Sequence, residues 1–316
     1  MTKINLHISH LSPVSPAALA LVRNDKYRLS FQDRMAANEA ELADKIRDAD
    51  AVYIGGDDYY SAKVLESAKN LKLLSFGGTG FGNFIDAKAA TELGIAITNT
   101  PGANSQSVAE MAVGLALDAL RKITFANCTN EKPDARELRN IKIGLIGYGN
   151  INRRVMKILQ GGFGADVRYW NRTPTADSAD LDTILRTSDM IFIAITANDE
   201  TKGFIGAAEF SKMKDGAILV NPAHESLIDG VAAMHALESG KIAALAMDGE
   251  LDADSPLRKF GADRLIATPH IAARTSDAWN NTDMMAFRNI VDFFETGTSG
   301  YIVNPNRKTP APAGRK

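Results

Sequence analysis

A single cysteine, Cys128, stands among 316 residues. One cysteine forms no internal disulfide, so the fold must rest on packed apolar cores. It reads as a small buried hydrophobe or an inert surface thiol rather than a nucleophile. No CxxC or HExxH spacing occurs, so no metal centre is expected. Long hydrophobic runs are also missing. Runs such as Met190 to Ile195, which no other exceeds, are far short of the roughly 20 apolar residues that span a bilayer. Charge of one sign is not in excess either. The formal net charge is −2, which argues against nucleic acid or an anionic membrane surface as a general partner. Met1 to Leu6 leads straight into a strand-like run, Ile4 to Ile8. No secretory leader is read there, and a cytoplasmic location is the expectation. The tail from Asn304 to Lys316, rich in Pro, Lys and Arg, reads as a frayed end.

What is present is an ordinary globular composition, 45% apolar and 23% charged, over a length suited to two domains. Short apolar strands alternate with amphipathic helices. Ala51–Ile54, Leu71–Phe76 and Ile95–Thr98 read as strands, with helices over 61–69 and 86–92 between them. A long helical pattern runs from Ala103 to Ala126, with Val108, Met111, Ala112, Leu115 and Leu120 on one face. It reads as a bridge into a second domain. There the unit repeats, with strands at 141–146, 166–170, 190–195, 217–220, 243–247 and 265–268. A helix over 276–295 returns to the first domain. This alternation predicts an α/β fold with parallel sheets covered by helices on both faces.

The strongest local signal follows the strand 141–146. Gly147-Tyr148-Gly149-Asn150-Ile151-Asn152 joins that strand to a helix, the context that gives a GxGxx pattern its meaning. Gly147 permits the tight turn, and Gly149 allows the backbone close to a pyrophosphate. Asn150 and Ile151 open the helix, whose N-terminus favours phosphate. Asn152 stands where glycine or alanine is usual, which predicts a looser turn. The pattern predicts a Rossmann-type doubly wound sheet holding a nicotinamide dinucleotide. At the end of the next strand, Asn171, Arg172 and Thr173 replace the acidic residue that grips the ribose of NAD. Asn171 does not repel a 2′-phosphate, and Arg172 and Thr173 are suited to bind one. NADP is therefore favoured over NAD.

Several ordered segments together make the chain resemble the D-isomer-specific 2-hydroxyacid dehydrogenase family. They are Thr100 to Glu110, Glu200 to Ile205, Met213 to Asn221, and Thr268-Pro-His270-Ile-Ala272. The resemblance covers nearly the whole chain. It implies a flavodoxin-like α/β substrate domain made from both chain ends, residues 1–99 and 283–316, with the Rossmann domain, residues 100–282, inserted. It places the active site in the cleft between them. It also implies hydride transfer between nicotinamide and a small 2-oxo or 2-hydroxy acid, or a related carbonyl compound.

By the same resemblance, His270 is the proton donor. Gly78, Thr79 and Gly80 hold the substrate carboxylate through backbone N–H groups, and Asn104 faces the substrate. Thr196, Ala223 and Asp248 stand at strand ends as further cofactor contacts. Two positions depart from the family pattern. His224 occupies the place of an arginine that grips the carboxylate, with Glu225 and Ser226 where glycine is usual. The stretch after Asp248 is about four residues shorter, so no residue aligns with the acid that partners the histidine. Glu250 and Asp252 are the candidates. His7, His10 and His235 have no matching role. A homodimer is implied, although the stretch 128–138 is shorter than the usual arm. Two rivals to the reductase reading stay open. One is a family member of altered chemistry; the other is a dinucleotide-sensing protein with little turnover.

Overall fold

The structure, a computed structural model, describes residues 3–307. It divides into two compact units. One takes the residues up to Asn104 and those from Ser276 onward; the other is Ser105–Thr275. The divisions lie at the starts of two long helices, a few residues from the expected 99/100 and 282/283, because each helix stays whole within one unit.

The first unit begins with β1 (Ile4–Ser9), α1 (Pro16–Val22), β2 (Tyr27–Phe31), α2 (Glu39–Ile46) and β3 (Ala51–Ile54). It continues with α3 (Ala62–Ser67), β4 (Leu73–Phe76), α4 (Ala87–Glu92) and β5 (Ala96–Thr98). The strands form one parallel sheet in the order β2-β1-β3-β4-β5, the flavodoxin-like arrangement. β3 and β4 are buried along their whole length, as expected for strands covered on both faces. α1, β2 and α2 escape the sequence reading. β2 is an edge strand whose residues are half exposed, so its apolar signal is weak.

The second unit opens with α5 (Ser105–Arg121) and α6 (Ile123–Thr129). The sequence predicts one helix over 103–126. The chain breaks at Lys122, whose φ of 52° ends the helical path. Then come β6 (Lys142–Ile146), α7 (Asn150–Phe163), β7 (Asp166–Trp170), α8 (Leu181–Thr187), β8 (Met190–Ile193) and α9 (Ala207–Lys212). β9 (Ala217–Asn221), α10 (Gly230–Glu238), β10 (Ile242–Asp248) and β11 (Leu265–Thr268) complete the unit. Its six parallel strands run β11-β10-β9-β8-β6-β7. Strand order reverses between β6 and β8, and in such sheets ligands bind outside the strand C-termini at that point. α5 and α7 cover one face through Ala112, Ala116, Val155 and Leu159. α8, α9 and α10 cover the other through Ile184, Phe210, Ala233 and Leu237. Each large apolar side chain removed from water contributes roughly 1.5–3 kcal/mol.

The last helix, α11 (Ser276–Thr296), returns to the first unit. Its buried Asp283 accepts hydrogen bonds from the Tyr53 hydroxyl at 2.5 Å and the Ser15 N–H at 2.7 Å. Burial, then the charge of Asp283, pushes the Tyr53 phenol well above its ordinary range. The expected fraying at 304–316 is overturned at its first residue. Asn304 donates to the Ile95 carbonyl at 2.9 Å and accepts from the Ile97 N–H at 2.8 Å. Residues 308–316 of that tail lie outside the described residues.

Candidate active site

The turn after β6 has the geometry a dinucleotide needs. Gly147 has φ +86°, and a Cβ there would stand 2.6 Å from the Ala194 carbonyl oxygen. Only glycine satisfies both conditions. Gly149 precedes the first residue of α7, and nothing lies within 4 Å of where its Cβ would be. The N–H groups of Asn150, Ile151 and Asn152 then face the end of α7 with no carbonyl inside the helix to bond. An open approach, a helix N-terminus and free N–H groups are what a pyrophosphate requires. The residues present fit the cofactor.

Asn152 behaves differently from the sequence expectation of a looser turn. Its side chain is fully buried, and its amide donates to the carbonyls of Ile146 at 3.1 Å and Gly147 at 2.8 Å. Both carbonyls are tied down beneath the turn, so asparagine braces the backbone where glycine would only fit. Beyond β7, the Asn171 oxygen accepts from the Tyr148 N–H at 3.4 Å, and its amide donates to the Thr173 carbonyl at 3.1 Å. Asn171 thus links the two turns. Arg172 and Thr173 are exposed, and the Arg172 guanidinium lies 3.8 Å from the Glu200 carboxylate.

The C-terminal ends of β9, β10 and β11 hold a second group of residues. Asn221, the last residue of β9, is fully buried. Its amide donates to the His224 carbonyl at 2.7 Å, and its oxygen accepts from the N–H groups of Ala223 at 3.1 Å and His224 at 3.3 Å. This clamp fixes the backbone that carries His224. The His224 ring caps the short 3-10 turn at Glu225–Leu227, with Nδ1 accepting from the Ser226 N–H at 3.2 Å. A donor on Nδ1 leaves the ring proton on Nε2. That nitrogen lies 3.6 Å from Glu225 Oε1.

His270 follows β11 in the segment Thr268-Pro269-His270. Its φ is +51°, an uncommon conformation for a side-chain-bearing residue. Asp248 holds the segment. Its carboxylate accepts from the Thr268 hydroxyl at 2.6 Å, the Ile271 N–H at 2.8 Å and the Ala272 N–H at 2.7 Å. Both oxygens are engaged in shaping the bend around His270, a role the sequence reading did not assign. The His270 and His224 rings meet edge to face, 6.3 Å between centroids.

Neither candidate acid is joined to His270. Glu250 and Asp252 are exposed, and among the described residues neither carboxylate makes a hydrogen bond or ion pair. Thr196 is exposed and Ala223 half-buried at their strand ends. Cys128 is exposed, the surface-thiol alternative of the two.

In the first unit, the loop after β4 carries Gly78, Thr79 and Gly80. The Gly78 carbonyl accepts from the Thr100 N–H at 2.9 Å, and the Thr79 carbonyl accepts from the Asn99 amide at 3.0 Å. The N–H groups of Gly78, Thr79 and Gly80 make no hydrogen bond among the described residues. Asn104 is half-buried at the end of this unit's first segment. His10 is buried, with Nδ1 3.4 Å from Asp57 and its ring 5.6 Å from Trp279. His7 is buried and bonds Ser30 at 2.9 Å, while burial lowers its pKa. His235 is largely exposed on α10 beside Glu238.

The model of the D-isomer specific 2-hydroxyacid dehydrogenase NAD-binding domain matches residues 113–272. The chain belongs to this family. Its sequence is 32% identical over 293 residues to a hydroxypyruvate reductase of Thermotoga maritima, covering 88% of this chain and 94% of that one. It is 34% identical over 299 residues to a D-3-phosphoglycerate dehydrogenase of Archaeoglobus fulgidus, covering 89% of this chain but 56% of that longer protein. A crystal structure of a glyoxylate reductase from Paecilomyes thermophila superposes with a TM-score of 0.84 at 25% identity, over 96% of this chain and 99% of the other. Membership makes this chain an oxidoreductase with a nicotinamide dinucleotide domain. No helix among the described residues is long and apolar enough to cross a membrane.

Proposed function

We propose that the chain is an NAD(P)H-dependent reductase of a small 2-oxo acid or related carbonyl compound, working with NADPH in preference to NADH. Bound at the β6–α7 turn, the dinucleotide supplies a hydride; the protein must orient the carbonyl and deliver a proton to its oxygen. His270 is the group for that proton. Its ring makes no hydrogen bond among the described residues, and its backbone is braced by Asp248. An imidazole carried on a braced backbone, with its ring nitrogens unengaged, can pass a proton to a carbonyl oxygen. The observation that carries the reading is the pairing, within one unit, of a vacant-backed Gly149 turn with a braced, strained His270.

Thr196 and Ala223 are proposed to line the nicotinamide, and Arg172 with Thr173 to meet the 2′-phosphate. The N–H groups at Gly78, Thr79 and Gly80, with Asn104, are proposed for the substrate. Cytoplasmic residence and a homodimer complete the reading.

The test is NADPH and NADH oxidation, followed by nicotinamide absorbance, over glyoxylate, hydroxypyruvate, pyruvate and phenylpyruvate. Turnover that is faster with NADPH and lost in His270→Gln is expected. Cofactor binding without turnover of any of these would favour the second reading, a sensing protein or an altered substrate. The absence of any carboxylate joined to His270 among the described residues is what favours that second reading.

A further inference from the structure

The Glu225 side chain is only partly exposed, at 36%. Its Oε2 is shut off from water with no hydrogen-bond partner among the described residues. A Cβ at Gly249 would stand 2.6 Å from that oxygen. Gly249 itself is fixed at the end of β10 by its N–H on the Thr268 carbonyl at 2.9 Å. The carboxylate therefore lies against bare backbone, with Oε1 turned towards His224 Nε2 at 3.6 Å. The ring next to it has one nitrogen occupied by the Ser226 N–H and the other turned to this acid. His224 thus presents no free fork to an anion. What this end of the site displays beside His224, whose ring meets that of His270, is a carboxylate with one oxygen sealed from solvent. A charge partly shielded from water acts on its neighbours more strongly than a fully solvated one.

We propose that Glu225 is a specificity-determining residue: with His224 it turns away carbonyl substrates that place an anion at this end of the site, and admits neutral or cationic ones. The favoured class is carbonyl compounds bearing an amide, alcohol or amine next to the reacting carbon, rather than a carboxylate. This rests on the carbonyl-reductase reading above and narrows its substrate.

Matched pairs of equal size test the proposal. Pyruvate and pyruvamide (2-oxopropanamide) are compared as substrates. Oxamate and oxamide are compared as unreactive ligands of the NADPH-loaded protein by calorimetry. The wild-type protein is expected to prefer each neutral member by about tenfold or more. Glu225→Gln is expected to bring each ratio within about threefold, chiefly through KM for pyruvate, while Glu225→Asp keeps the preference. Oxamate bound by wild type as tightly as oxamide, or an unchanged ratio in Glu225→Gln, overturns the proposal. Should neither carbonyl be reduced, the reading of activity falls, and the oxamate-to-oxamide ratio still decides the role of Glu225.

Discussion

Two strand-to-helix turns of one sheet are each braced by a buried asparagine, and they use it in opposite ways. After β6, Asn152 ties down the carbonyls of Ile146 and Gly147. The N–H groups at the start of α7 are left for a ligand. After β9, Asn221 engages N–H groups and a carbonyl alike. That backbone has little left to offer, so the side chains of His224 and Glu225 meet whatever binds. A site made of backbone tolerates changes in its side chains. A site made of side chains changes its ligand with each substitution.

The comparison breaks most sharply at Gly147. Gly147→Ala must accept positive φ and a clash with the Ala194 carbonyl. NADPH titration by fluorescence should show Kd rising by about 10- to 100-fold. If affinity is unchanged, the turn is not where the phosphates bind. Next comes Asp248→Ala, which strips three donors of their acceptor beneath His270. Denaturant unfolding should show a loss of about 2–3 kcal/mol. Turnover should fall by a larger factor than NADPH affinity.

The two asparagines sharpen the contrast directly. Asn221→Ala and Asn152→Ala should each cost about 1–2 kcal/mol in unfolding. Steady-state kinetics and cofactor titration should then separate them. Asn221→Ala is expected to raise KM for the carbonyl substrate with NADPH affinity intact. Asn152→Ala is expected to weaken NADPH while leaving the substrate KM nearly constant. Equal effects of both variants on both ligands would dissolve the distinction. The smallest effect is expected at exposed Arg172. Arg172→Ala should leave stability within about 0.5 kcal/mol. It should cut the preference for NADPH over NADH by about threefold to tenfold, through the lost charge near the 2′-phosphate.

Much of this was legible in the chain. Strands buried on both faces, such as Val52 to Ile54 and Met190 to Ile193, are continuous apolar runs and announce a parallel sheet. The edge strand β2 and the helices around it were not, because a half-exposed strand has no continuous run and α1 is only a short helix. Asn38 does cap α2 by accepting from the Glu41 N–H at 3.0 Å. That capping pattern was a signal the sequence carried and the reading passed over.

At the site, residue types and order pointed to His270, the glycine turn and the departures at His224 and Glu225. Local pattern is enough for the glycine turn and the strands, since a tight turn demands glycine and a parallel strand demands apolar side chains wherever they occur; His270, His224 and Glu225 stood out only through the resemblance to the family. Hydrogen-bond partners are another matter. That Asp248 holds the His270 bend, that Asn152 braces its turn from below, and that Glu225 lies over Gly249 beside His224 all depend on residues distant in the chain. Asp248 meets Ala272 across 24 positions, and Glu225 meets Gly249 only because β9 and β10 are neighbours in the sheet. A carboxylate or amide serves whichever donors the fold sets within about 3 Å, and only the tertiary structure decides which those are.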